Sequence, residues 1–186
     1  QKPTPSLYTL DGGKHVVYIG SFSRLLLPSI RISFMILPRD LSEAYQKVAS
    51  HYNQTASKAE QIALTQFIRD GHLAAQIRRL RRLYTQKMRK LLDAIEEVFQ
   101  DHVSLKIGSA GTSVALTLYT EKGAIKSPLS DFPKFARSKS IGIEALSWDD
   151  SSITLLLSCS AMPLEDFPQA CLRLKDAWEE FSCAVK

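Results

Sequence analysis

Two short apolar runs, Val16-Val17-Tyr18-Ile19 and Ile30 to Leu37, flank a segment of small and hydroxyl residues, Gly20-Ser21-Phe22-Ser23-Arg24. Apolar runs of this length, bounded by Gly, Ser and Pro, predict two core strands joined by a polar loop. Upstream, Gln1 to Gly13 holds two prolines and a Gly-Gly pair and reads as an extended arm and turn. Downstream of Pro38 the apolar spacing becomes helical. Leu41, Ala44, Tyr45 and Val48 mark one helical piece with an acidic first turn, Ser50 to Ser57 a polar break, and about Lys58 to Asp70 a second helix. The second helix has Ile62, Ala63, Phe67 and Ile68 as its apolar face, and Gly71 is placed to cap it.

From about Leu73 to Phe99, Ile77, Leu80, Tyr84, Met88, Leu91, Ile95 and Val98 recur at spacings of three and four, which predicts one long bridging helix. Beyond Asp101 the period shortens toward two. Val103 to Ile107 and Ser113 to Tyr119 are predicted strands joined by a turn at Gly108 to Gly111. Thr120 to Pro128 reads as loop, Leu129 to Ser138 as a short helix, Ile141 to Leu146 as a small strand, and Trp148 to Ser152 as a polar connection. Ile153 to Ser160 is apolar on both faces until Ser158, the mark of a central strand. In the last helix, about Pro163 to Ser182, proline opens the first turn and Glu165 and Asp166 favour the positive end of the helix dipole. Its core stripe is Leu164, Phe167, Cys171, Leu174, Trp178 and Phe181. Strand, strand, helix, strand, strand, helix describes a small α+β lobe.

Composition narrows the function classes. With 186 residues, 45% hydrophobic and 23% charged, the chain is long enough for a core and unlike a disordered segment. A net charge of +5 permits nucleic-acid or acidic-ligand contact without requiring it. The cations Arg78, Arg79, Arg81, Arg82, Lys87, Arg89 and Lys90 lack interleaved aromatics and read as a solvated helix face. Cys159, Cys171 and Cys183 form no C-x-x-C pair and imply a reduced, cytoplasmic setting. His15, His51, His72 and His102 are isolated, which argues against a metal site. There is no G-x-S-x-G elbow, P-loop or dinucleotide fingerprint, no signal peptide, and no apolar run of the roughly 18 residues a membrane helix needs. Candidate chemistry therefore sits between the first two runs. Ser21, Ser23, Arg24 and Arg31 offer hydroxyls and guanidinium groups that suit a phosphorylated ligand at a strand end.

The residues from Gly20 to Phe34 resemble a family pattern, G-[ST]-F-S-K-x-L-x-P-x-[LI]-R-[LI]-[GS]-[FY], at nearly every place. The pattern is that of the MocR or GabR branch of the GntR transcription regulators, whose fold-type I aminotransferase-like domain senses a small effector. His72, Ile77, Arg78, Arg79, Leu80, Arg81 and Tyr84 match a second stretch typical of the branch, and Pro3, Pro5, Ser6, Leu7, Leu10 and Asp11 a third. The resemblance implies an α/β fold, the C-terminal part of a pyridoxal phosphate (PLP)-dependent transferase-like domain. Residues 1–72 would end the large domain, 73–100 form the bridging helix and 101–186 the small C-terminal lobe. The family's winged-helix DNA-binding domain would lie upstream, so the resemblance implies truncation, with DNA reached only through that domain.

One position departs from the pattern. Where the family has its Schiff-base lysine, this chain has Arg24. Guanidinium stays charged at any working pH and is no amine nucleophile, although its planar fork still suits phosphate. Lys14 is the nearest substitute but lies ten residues away. The family also places a carboxylate-clamping arginine at the entrance to the late strand, and alignment puts Ser152 there, which weakens carboxylate recognition. The resemblance thus implies a homodimeric, cytoplasmic sensor for an amino-acid-like or PLP-like effector, with PLP as cofactor by family, covalent attachment lost and no catalytic residue. The alternatives are a PLP-dependent aminotransferase acting on a small amino acid, or a segment serving only for dimerisation.

Overall fold

The structure, a computed structural model, describes residues 5–52, 55–108, 111–120 and 127–182. Pro3, part of the Gly108 to Gly111 turn, most of the Thr120 to Pro128 loop and Cys183 fall outside the described residues. The chain forms two compact units, Gln1–Arg79 and Leu80–Lys186.

The first unit opens on a short helix, α1 (Leu7–Asp11), where an extended arm was expected. Local capping explains the difference. Ser6 Oγ accepts from the Thr9 amide at 3.2 Å, and Gly12 ends the helix at φ +69°, a conformation that glycine adopts without a Cβ penalty. Asp11 then caps the turn into the first strand, accepting from the amides of His15 at 2.6 Å and Val16 at 3.1 Å. These bonds, led by the His15 amide and side chain, pull its carboxyl down to about 2.

Strands β1 (Tyr18–Ser21) and β2 (Ser33–Ile36) pair antiparallel, with Ser21 opposite Ser33 and Gly20 opposite Phe34. β1 is displaced two residues toward the hinge and takes in Gly20 and Ser21, β2 is shorter than the expected run, and neither is a core strand. Ile19 is 74% exposed, and Phe34, Met35 and Ile36 are exposed as well. Two strands without a covering layer cannot bury either face. Ile32, just before β2, is buried.

Helix α2 (Arg39–Ala49) follows, with Asp40 in its first turn, and α3 (Lys58–Arg69) begins at an N-cap formed by Ser57. The expected break and the turn at Gly71, φ +78°, are both present. Of the expected apolar face of α3, Ile62, Ala63 and Ile68 are exposed and Phe67 is half-buried, while Leu64, outside that set, is its buried residue.

Helix α4 (His72–Phe99) continues into the second unit, where Met88, Leu91, Ala94, Ile95, Val98 and Phe99 are buried. Strands β3 (Val103–Ile107) and β4 (Ser113–Tyr119), helix α5 (Phe132–Ser138), strands β5 (Glu144–Trp148) and β6 (Ser152–Ser158), and helix α6 (Phe167–Ser182) complete it. The sheet is antiparallel in the order β3-β4-β6-β5, so β6 is central as expected. Strand β5 starts later than expected and carries an irregularity between Ala145 and Ser147 that brings Trp148 into the ladder. Alternating Val114, Leu116 and Leu118 on β4 and Ile153 and Leu155 on β6 meet the helices in one core.

Lys87 on α4 is not merely part of a solvated face. Its Nζ donates to the carbonyls of Ser160 at 2.9 Å and Met162 at 2.7 Å, tying the connection after β6 to the helix. Lys87→Met keeps the aliphatic stem and removes both bonds. It is expected to cost about 1–2 kcal/mol, read as a lower urea midpoint at unchanged slope. An unchanged midpoint would mean that the two bonds add nothing over water.

Candidate functional site

The hinge between β1 and β2 is built by local hydrogen bonds. The Phe22 amide donates to Ile32 O at 3.0 Å, extending the hairpin by one step, and the Leu25 and Leu26 amides turn back onto Phe22 O at 3.1 and 2.9 Å. Ser23 Oγ donates across the turn to Ile30 O at 2.6 Å, and the Ser23 amide donates to Ser21 Oγ at 3.3 Å. Behind the hinge, Phe34 packs on Phe22 with ring centroids 5.4 Å apart. Gly20 makes this packing possible, because a Cβ there would lie 2.3 Å from the Phe34 ring.

The result is an open cleft of about 600 Å³ lined by Ser21, Ser23, Arg24, Arg31 and Ser33, with Leu26, Pro28 and Ile32 as its apolar part. All four residues expected in the first unit come together here. Ser33 was missed, although the pairing that sets it opposite Ser21 follows once the hairpin register is known. Among the described residues neither Arg24 nor Arg31 forms an ion pair, and no carboxylate or lysine lines the cleft. Hydroxyls and guanidinium groups with no counter-charge make a donor set for a phosphate-like anion.

Ser152 belongs to the second unit, at the start of β6. Its hydroxyl donates to Asp149 Oδ2 at 2.9 Å and its amide to Asp149 Oδ1 at 2.8 Å. Ser151 adds its amide at 2.7 Å and its hydroxyl at 3.0 Å. The Ser151 amide first, then the Ser152 and Ser151 hydroxyls, hold the Asp149 carboxyl at about 2. Asp149 is thus the organiser of the β5–β6 turn. The sequence signal was an Asp with serines two and three residues on, the pattern of a side chain bonding its own backbone two residues on. Lys87 had no such signal, because its acceptors lie more than 70 residues away. Among the described residues no group of three His, Cys, Asp or Glu side chains is placed to hold a metal ion, and no helix is long and apolar enough to cross a membrane.

No family model matches the chain. The uncharacterized HTH-type transcriptional regulator YdeL of Bacillus subtilis is 32% identical over 184 residues, covering 96% of this chain and 38% of the relative. YhdI of the same organism, another such regulator, is 32% identical over 182 residues, 95% of this chain and 37% of its own length. The probable rhizopine catabolism regulatory protein MocR of Rhizobium meliloti is 32% identical over 110 residues, 59% of this chain and 22% of that protein. The chain therefore spans a little over a third of the length of the first two relatives.

Solved structures agree on the fold. The aminotransferase Aro8 from Candida albicans superposes with a TM-score of 0.75 at 22% identity, over 96% of this chain and 42% of that one. LysN, the α-aminoadipate aminotransferase of Thermus thermophilus complexed with N-(5'-phosphopyridoxyl)-L-leucine, gives 0.66 at 21% identity over 94% and 44%. These two likenesses carry the fold alone. Taken with the sequence relatives, they show a chain similar to part of several HTH-type transcriptional regulators, MocR among them, and folded as part of a fold-type I aminotransferase.

Proposed function

We propose that this chain is the effector-sensing, aminotransferase-like part of a transcription regulator, and that it holds a phosphorylated small molecule without a covalent bond. The observation that carries the reading is the lining of the first unit's cleft. It offers Ser21, Ser23, Arg24, Arg31 and Ser33, and among the described residues no lysine lines it. PLP, when bound to a protein of this fold, supplies an aldehyde and an electron-withdrawing ring that activate amino acids. The donor set fits its phosphate. Arg24 and Arg31 would pair with the phosphate charge, and the hydroxyls of Ser21 and Ser33 would satisfy its remaining oxygens. Arg24 offers a fixed positive charge where attachment needs a neutral amine.

The arrangement around Ser152 supports the same reading. Its hydroxyl is committed to Asp149, whose negative charge stands beside any incoming carboxylate. This disfavours the second reading, an aminotransferase that clamps an amino-acid carboxylate at that position. Within the proposal, residues 1–72 end a large domain, 73–100 bridge, and 101–186 form a small lobe. The working protein is a cytoplasmic homodimer, and it reaches DNA through a helix-turn-helix domain of the kind its relatives are named for. Buried free thiols at Cys159 and Cys171 fit a reducing compartment.

Titration with PLP and with pyridoxal, followed by calorimetry, tests the reading. The phosphate form is expected to bind at least about tenfold more tightly, since a charge-assisted bond to phosphate is worth about 1.5–3 kcal/mol. Arg31→Gln should remove most of that preference. Equal affinity for the two compounds would overturn the proposal.

A further inference from the structure

A cavity of about 210 Å³ opens in the second unit where β5 and β6 diverge. Their pairing runs from Trp148–Ile153 to Glu144–Leu156 and stops, while β6 continues to Ser158 against β4. On the other side of the wedge the chain turns through Ser140 at φ +61°, and at Gly142 a Cβ would meet nothing within 4 Å. Leu91 of α4 and Phe167, Cys171 and Leu174 of α6, all core residues, wall the space. Packed interiors leave few voids larger than a water molecule. This one is a wedge open to solvent at one side, with core residues as its floor.

The rim is chemically different from the walls. It carries Arg173, whose guanidinium donates to the Lys139 carbonyl at 2.9 Å. That bond fixes the group and uses one of its five N–H donors. Among the described residues no carboxylate pairs with Arg173. An apolar wedge closed at one side by an oriented, uncompensated guanidinium matches a short aliphatic tail ending in an anion.

We propose that this wedge binds a small branched aliphatic carboxylate, its tail against Leu91, Phe167 and Leu174 and its carboxylate on Arg173. Size sets the class. A 150 Å³ apolar cavity admits benzene, so this one takes roughly five to eight non-hydrogen atoms. Charge sets the headgroup, because guanidinium and carboxylate form a bidentate pair. None of these residues lines the serine and arginine cleft of the first unit, so the inference stands independently of the function proposed above.

Titration of the chain with 3-methylbutanoate and with its neutral amide, followed by backbone NMR, decides the matter. The carboxylate is expected to give saturable shifts at Ile141 to Ile143 and Leu156 to Ser158, with the amide at least about tenfold weaker. Arg173→Met, an exposed position, should abolish the preference for the carboxylate. Ala170→Leu, which fills the wedge from α6, should abolish binding of both compounds while the remaining spectrum stays folded. No saturable shift, equal affinity for acid and amide, or a preference surviving in Arg173→Met would each overturn the proposal.

Discussion

Replacing Phe132 by alanine is expected to remove about 3–5 kcal/mol of unfolding free energy from the second unit. Phe132 is 0% exposed and stands at the centre of an aromatic cluster. Its ring meets Trp178 edge-on at 5.1 Å and Phe181 at 5.3 Å, and Phe135 lies 5.4 Å from Phe181. Truncation deletes the largest buried side chain of α5 and leaves a cavity that rings on a rigid helix cannot fill. Edge-to-face contacts add about 0.5–1.5 kcal/mol beyond the area they cover. Leu172→Ala is the control, on the outer side of α6 at 44% exposure. It should stay within about 0.5 kcal/mol of the parent, as surface changes do. Urea unfolding of both variants measures the difference. Equal costs would mean that α5 and α6 do not share one core.

The same cluster explains why the second unit was legible in the sequence. Its elements bury one face each, so the apolar period reports burial directly: in the expected stripe of the last helix Phe167, Cys171, Leu174, Trp178 and Phe181 are buried, while Leu164 lies in a tight turn ahead of α6 and is half-buried, and β4 alternates as its residues do. Strand β5 was misplaced because Trp148, a large apolar residue at an exposed edge, was assigned to the polar connection. The first unit resisted the same reasoning. Ile19, Met35, Leu41, Tyr45, Ile62 and Ile68 are apolar at regular spacing and exposed. Periodicity shows which residues share a face. It does not show what covers that face.

The candidate site divided in the same way. Ser21, Ser23, Arg24 and Arg31 lie within eleven residues and meet in one hairpin hinge, so their chemistry could be read locally. Ser33 needed the strand register, and Lys87 needed the tertiary fold. Ser152 could be named from the sequence, but its commitment to Asp149 follows only from the turn between β5 and β6.

Arg24→Lys is expected to convert the cleft from a non-covalent to a covalent site. A lysine amine among other cations titrates more easily to the neutral form, because a nearby like charge disfavours the ammonium, and Arg31 lines the same cleft. Guanidinium has no comparable route. After incubation with PLP and borohydride reduction, the variant should carry about one phosphopyridoxyl group per chain at position 24. A variant that stays unmodified would show that position 24 is not where attachment occurs in this fold. An adduct spread over many surface lysines would mean the same.

The most direct test of the account uses the unaltered chain. Excess PLP, borohydride and an intact-mass measurement, with the modified peptide identified, ask whether covalent attachment has been lost. The account predicts no stoichiometric adduct. A single adduct on one lysine, such as Lys14, would contradict it and raise the aminotransferase reading above the sensor.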